Sequence, residues 1–181
     1  MCVLCQADSL DHAIELITID IDTLGWTAVS TPPANGRPRW VYTIGLEQSF
    51  DHPELLVVTC NVNPAMEVLQ QFAYEVEDGG WHFPGDRVIT PRGEVEVLEV
   101  SAPQRTLPLL PLRTRYDAAI GGAPRPRPPL QLVVPGLDCP SHPISTWRLD
   151  RDAPLLAGTS RPPRQIRRRH RVHRGGPASS R

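Results

Sequence analysis

The chain has 181 residues, which fits one domain of ordinary size and disfavours two independently folded ones. Its 21 prolines and 13 glycines exceed the usual globular share, so part of the chain is expected to lack a core. Charge is divided along it: residues 1–100 carry 16 acidic and 4 basic side chains, net −12, and residues 101–181 carry 4 and 15, net +11, giving −1 overall with every one of the 19 cations an Arg.

No apolar run approaches the roughly 18 residues of a membrane helix. The first residues hold Asp8 and Asp11 and no cation, unlike a signal peptide, so a cytoplasmic protein without a membrane partner is expected. In that compartment Cys2, Cys5, Cys60 and Cys139 are expected to be reduced, metal-bound or redox-active rather than structural disulfides.

Taken in chain order, Leu10, Ile14, Ile17, Ile21 and Leu24 recur at helical steps with Asp8 or Ser9 as cap and Gly25 as stop, predicting an amphipathic helix over residues 10–24. Residues 26–30 read as a short strand, and residues 31–39, dense in turn formers, as a surface loop. Trp40, Tyr42, Ile44 and Leu46 alternate with Val41, Thr43 and Gly45, the period of a strand with one bulky face. Residues 55–60 are apolar and β-branched, which suits an interior strand. Asn63 before Pro64 signals a helix start, and Met66, Leu69, Phe72, Ala73 and Val76 make its stripe before Gly79 and Gly80.

Residues 87–90 and 94–100 flank Pro91-Arg92-Gly93 as a hairpin. Leu109, Leu112, Tyr116 and Ile120 are helically spaced, although Pro103, Pro108 and Pro111 confine that helix to the residues after Pro111. Residues 130–134 supply a last strand. The fold class is therefore α+β: a single domain with a mixed β-sheet, two to three packing helices and a disordered C-terminal tail. The domain is expected over residues 1–134, a divergent connector over 135–147 and an Arg/Pro-rich tail over 148–181. Within the tail, residues 161–174 hold seven Arg and two His, a composition that an out-of-frame reading of GC-rich coding DNA also produces.

Two constellations carry candidate chemistry. Cys2-x-x-Cys5 has the spacing of a zinc knuckle or a redox pair, and Cys139-Pro-Ser-His142 repeats that spacing and offers two more zinc ligands. Tyr42-Thr-Ile-Gly-Leu46 followed by Phe50-Asp-His-Pro-Glu54 is polar-rich between two strands, where a loop carrying His52 and Glu54 is expected to project from the sheet edge, and His52 with Glu54 and His82 offers a general base, an orienting carboxylate or metal ligands. There Tyr42 or Thr43 offers a donor to an anionic intermediate. A plain reading stands beside it: His52-Pro53 forms a turn, Glu54 caps it and Tyr42 packs with Trp40. No phosphate-binding glycine loop, Gly-x-Ser-x-Gly elbow or His-Glu-x-x-His helix is present, so familiar enzyme classes are disfavoured.

Met1-Cys-x-x-Cys5, Trp40-x-Tyr-Thr-Ile-Gly-Leu46, His52-Pro-Glu-Leu-Leu-Val57, Gly80-x-x-Phe83 and Leu130-Gln-Leu-Val133 occur in this order in a bacterial family that the chain resembles, domain of unknown function 4262. The resemblance covers about residues 1–134 and implies no particular reaction, cofactor or partner. The family usually continues with Asp, Gly and a Pro-Trp pair in a short acidic close, and residues 135–147 depart from that, which separates Cys139, His142 and the Arg cluster from the resemblance. A zinc site on Cys2 and Cys5 is then expected to recruit His12 or His82. Three functions emerge as expectations. The first is a binding module using Tyr42, Thr43, His52, Glu54 and His82 toward a small ligand or protein. The alternatives are a hydrolase-type enzyme with His52, Glu54 and Tyr42 as catalytic residues, metal-assisted or not, and nucleic-acid association through the tail.

Overall fold

The computed structural model describes residues 7–31, 39–100, 110–120 and 127–137. Helix α1 (Leu10–Leu24) begins where the Ser9 hydroxyl accepts from the His12 N–H at 3.1 Å. It ends at Gly25, whose left-handed backbone donates to the Ile21 carbonyl at 2.7 Å, and its buried stripe is Ala13, Ile17 and Ile21. Strands β1 (Thr27–Ser30), β2 (Arg39–Ile44) and β3 (Leu55–Thr59) come next as an antiparallel meander in which Thr43 stands beside Leu55. Between β2 and β3 lies a short helix, α2 (Leu46–Phe50), and after β3 a long one, α3 (Val62–Glu77).

The hairpin β4 (Arg87–Thr90) and β5 (Gly93–Glu99) precedes α4 (Leu110–Ala119) and the last strand, β6 (Leu130–Val133). Strand β6 slots between β3 and β5, parallel to the first and antiparallel to the second, so one six-stranded mixed sheet forms in the order β1-β2-β3-β6-β5-β4. Both faces are covered. Val41, Leu55, Val57, Val95, Val97, Leu130 and Leu132 pack with α3 through Leu69, Phe72 and Val76, whereas Val29, Tyr42, Ile44 and Leu56 pack with Ile17 and Ile21 of α1 and Leu112 and Tyr116 of α4. The covering on both sides explains why β3 reads as an unbroken apolar run. The fold is α+β around a mixed sheet, as the sequence predicts, with four helices among the described residues.

Three local expectations are corrected. No loop projects with His52 and Glu54: β2 stops at Ile44, the chain turns into α2, and both side chains are buried. Helix α3 starts at Val62 with Asn61 as its cap residue, two residues before the Asn63-Pro64 signal, because Pro64 is tolerated anywhere in a first turn whose N–H groups have no helical partner. Cys60 is not a reduced residue closing a buried strand; it lies just beyond β3, exposed and disulfide-bonded. Cys2, Cys5, Cys139, His142 and the tail, with the metal and disorder expectations placed on them, lie outside the described residues. Among the described residues no helix is long and apolar enough to cross a membrane.

Candidate functional site

The residues singled out by sequence converge at one end of β2 and β3, but around a buried carboxylate. Glu54, 2% exposed, immediately precedes β3 and reaches back over the β2–α2 junction. Its Oε2 accepts the Thr43 hydroxyl at 2.6 Å and the Leu46 N–H at 3.4 Å, and its Oε1 accepts the N–H groups of Gly45 at 2.9 Å and Glu47 at 3.3 Å. Thr43 completes the exchange by accepting the Leu55 N–H at 2.8 Å. One side chain thus satisfies the N–H groups that open α2, which its cap residue, Gly45, cannot do because it has no side chain. Burial pushes the Glu54 pKa up, while Arg113, the Thr43 hydroxyl and the N–H groups of Gly45 and Glu47 oppose that.

Gly45 is required there on two counts. Its φ is +109°, and a Cβ would stand 2.7 Å from the Gly25 carbonyl oxygen, a backbone atom with nowhere to move. Beyond it, α2 clasps α4: Glu47 takes the Arg113 guanidinium and the Arg127 N–H at 2.8 Å, and Gln48 accepts the Tyr116 hydroxyl at 2.7 Å. Arg113 also faces Asp117 at 3.6 Å.

His52 occupies the other side of Pro53 and is fully buried. Its Nδ1 lies 2.6 Å from the Pro53 carbonyl, which can only accept, so the ring proton sits on Nδ1 and Nε2 accepts the His82 N–H at 3.1 Å. Burial first, then electrostatic repulsion from His82 and Arg127, lower its pKa to about 4, against the Pro53 carbonyl that raises it. His52 is therefore a neutral crosslink whose two nitrogens are both engaged. It ties β3 to the segment at residues 78–86.

That segment is held from within at several points. Gly80 donates to the Glu75 carbonyl at 2.7 Å, Phe83 to Asp86 Oδ2 at 2.8 Å and Gly85 to the Val97 carbonyl at 2.7 Å, while Val97 donates back to the Asp86 carbonyl at 2.9 Å. With its polar groups turned inward, the segment holds two aromatic rings outward. Trp81 is 39% exposed and Phe83 45%, with ring centres 6.0 Å apart. The Trp81 ring meets His52 edge-on at 4.9 Å, and the Arg127 guanidinium sits 5.9 Å from it while pairing with Asp51 at 2.6 Å. His82, between the two aromatics, points inward: it is buried, and burial lowers its pKa against Glu75 and the Phe72 backbone.

The sequence-derived set is therefore split. Thr43 and Glu54 touch, and His52 and His82 touch, with ring centres 5.7 Å apart. Tyr42 is not with them: its side chain lies on the opposite face of the sheet, in the cluster with α1 and α4, where burial drives its pKa far up. His12 is on α1, accepting the Asp8 N–H at 3.3 Å. Among the described residues no three His, Cys, Asp or Glu side chains converge as metal ligands. Trp81 and Arg127 escape the sequence reading and Phe83 enters it only within the Gly80-x-x-Phe83 motif, although two aromatics in a Gly/Pro segment carry a signal, since they have little to pack against in a turn.

The profile of the family described as "Domain of unknown function (DUF4262)" matches residues 20–137, well over half of the chain, and the protein belongs to that family. No curated protein and no solved structure matches it.

Proposed function

We propose that the protein is a small ligand- or partner-binding module whose contact surface is the segment at residues 78–86, with Arg127 and the end of α2 at its rim. The observation that supports this reading is the presentation of Trp81 and Phe83. Both are held in solvent by backbone anchored to His52, Asp86 and Val97, so a partner meets rings that need no further ordering. Arg127 beside Trp81 suits a planar, anionic or carbonyl-bearing group. In this reading His52, Glu54, Thr43 and His82 support the surface from beneath.

The hydrolase reading is weaker on the same geometry. A general base needs a free lone pair facing substrate, and His52 Nε2 is spent on the His82 N–H while four donors occupy Glu54. The cytoplasmic, bacterial setting expected from the sequence stays part of the proposal, and the disulfide at Cys60 weighs against it.

The test uses 8-anilinonaphthalene-1-sulfonate, an aromatic anion, as probe. Wild type is expected to give saturable fluorescence enhancement, weakened about tenfold or more, or roughly 1.4 kcal/mol, in Trp81→Ala/Phe83→Ala and unchanged in Ile89→Thr, another exposed apolar site. Equal binding by the double variant would remove the surface from consideration. Turnover of p-nitrophenyl acetate that vanished in a folded His52→Gln protein would favour the hydrolase instead.

A further inference from the structure

The two terminal strands of the sheet differ. Strand β1 is buried at every residue of Thr27–Ser30, so that end is closed. Strand β4 is open: among the described residues β5 is its single neighbour strand, Ile89 is 74% exposed and the Arg87 side chain 65%. Val97 donates to the Asp86 carbonyl at 2.9 Å, and the two-residue alternation of an antiparallel ladder then turns the N–H and C=O of Val88 toward β5 and those of Arg87 and Ile89 out to the edge. Among the described residues no strand meets these outward groups, which is the condition under which a sheet adds another strand.

We propose that β4 pairs antiparallel with β4 of a second copy of this chain, about a two-fold axis through Val88, joining the two sheets into one. Register favours this pairing. About Val88, Arg87 stands opposite Ile89 of the second copy and Ile89 opposite its Arg87, so every outward N–H meets an outward carbonyl. Centring the axis on Ile89 would set Arg87 against Pro91, which has no N–H, and centring it on Arg87 would set two guanidinium groups opposite each other. Charge favours it as well. On β5, Glu94 stands beside Ile89 and Glu96 beside Arg87, so one row across the seam reads Glu94 and Ile89 from one copy, then Arg87 and Glu96 from the other. With strands about 4.8 Å apart, Glu94 of one copy and Arg87 of the other are roughly 10 Å apart at the backbone, a gap that their side chains span while the Arg87 stem covers Ile89. Glu94 already accepts a guanidinium in this way, since it pairs with Arg87 of its own chain at 3.1 Å. Closure follows from β1: because that end is buried, each copy offers one open edge, and association stops at two instead of running on as a filament. A seam one short strand long is smaller than a permanent interface, so the dimer forms and dissociates with concentration.

The experiment is sedimentation equilibrium of the full chain from about 5 µM to about 500 µM, a span suited to a weak dimer. The weight-average mass is expected to rise from that of a monomer toward twice that value and to level there. Ile89→Pro removes an N–H that points outward, so it spares the β4–β5 ladder and should weaken association about tenfold or more. Arg87→Glu, which brings like charges to the seam, should weaken it too, and Arg87→Glu/Glu94→Arg should restore it. Val88→Cys reads the register: a non-hydrogen-bonded antiparallel pair sets its Cα atoms about 4.5 Å apart, within disulfide range, so mild oxidation should join the two introduced thiols across the axis. Mass spectrometry would show the link as a joined pair of tryptic peptides from residues 88–92. A mass that stays monomeric at the highest concentration would overturn the proposal, as would one that climbs past the dimer without levelling. Association that is unchanged in both Ile89→Pro and Arg87→Glu, or that is lost in Trp81→Ala/Phe83→Ala, would place the contact elsewhere and overturn it too. Binding of the aromatic anion is measured on dilute, monomeric protein, so the reading of Trp81 and Phe83 stands or falls separately.

Discussion

Residues 43–54 and residues 78–86 meet at His52, yet they solve opposite problems. The first segment gathers polar side chains inward: Thr43, Glu54 and His52 are buried and each is satisfied by backbone groups. The second turns its backbone polarity inward and leaves Trp81 and Phe83 in water. The residue types that suggest catalysis are thus the ones that hold the chain together, and the ring pair that suggests recognition sits where no catalytic motif lies. A polar residue in an enzyme-like pattern is informative only once the destination of its hydrogen bonds is known.

The sharpest way to break this contrast is to remove the carboxylate. Glu54→Leu strands the N–H groups of Gly45, Leu46 and Glu47 and the Thr43 hydroxyl in a dry interior. It is expected to cost about 3–5 kcal/mol in urea unfolding, the range for stripping a buried charge from its partners. A loss below about 1 kcal/mol would mean that water replaces the carboxylate and that the region is open to solvent. Gly45→Ala should fall in the upper part of the same range, since strain at positive φ adds to the contact with Gly25.

This arrangement also marks where sequence reading stops. Helix α1 is legible because its stripe, its Ser9 cap and its Gly25 stop all lie within residues 9–25. Helix α2 is not: five residues carry no periodicity, and what starts it is a carboxylate on the far side of the helix, brought back by the β2–β3 pairing. The alternation of Trp40, Tyr42 and Ile44 is readable, but not the covering of both faces of the strand, so sequence alone places Tyr42 and Thr43 in one site when they lie on opposite faces. The early start of α3 has a similar cause, since Pro64 is permitted at several positions of a first turn and does not select among them.

A second test titrates the crosslink between the two segments. The folded-state pKa of His52, about 4, lies below the 6.5 of the free imidazole, so the folded form binds the proton less tightly than the unfolded chain. Its stabilisation is complete above about pH 6.5 and is lost as pH falls toward 4; at about 1.4 kcal/mol per unit this comes to about 3 kcal/mol. His82, shifted in the same direction, steepens the loss. In His52→Gln the amide oxygen takes the place of Nε2 toward the His82 N–H without titrating. Its stability at neutral pH is lower, and the expected readout is a shallower slope of unfolding free energy between pH 6.5 and 4. Parallel slopes for the two proteins would show that His52 is protonated in the fold and that the crosslink is misassigned.

The smallest effects separate exposure from presentation. Trp81→Ala removes the ring that covers His52 edge-on, an aromatic contact worth about 0.5–1.5 kcal/mol, so its stability cost stays modest while probe binding falls by about tenfold. Ile89 is more exposed still, at 74%, on edge strand β4 opposite Glu94. Its neighbour pair Arg87–Glu94, 3.1 Å apart on the surface, contributes little. Ile89→Thr keeps a β-branched side chain in the strand and removes apolar area that is already in water, so thermal unfolding should move by less than about 0.5 kcal/mol. Probe binding should not move at all, because β4 holds Ile89 out as a bare edge rather than beside a second ring and a cation. What should change is self-association: an edge strand with an exposed Ile is a template for pairing with another copy, and Thr lowers that tendency, read as less light scattering on heating. If Ile89→Thr instead abolished probe binding, the binding surface would lie on the sheet edge and the contrast between the two segments would lose its functional meaning.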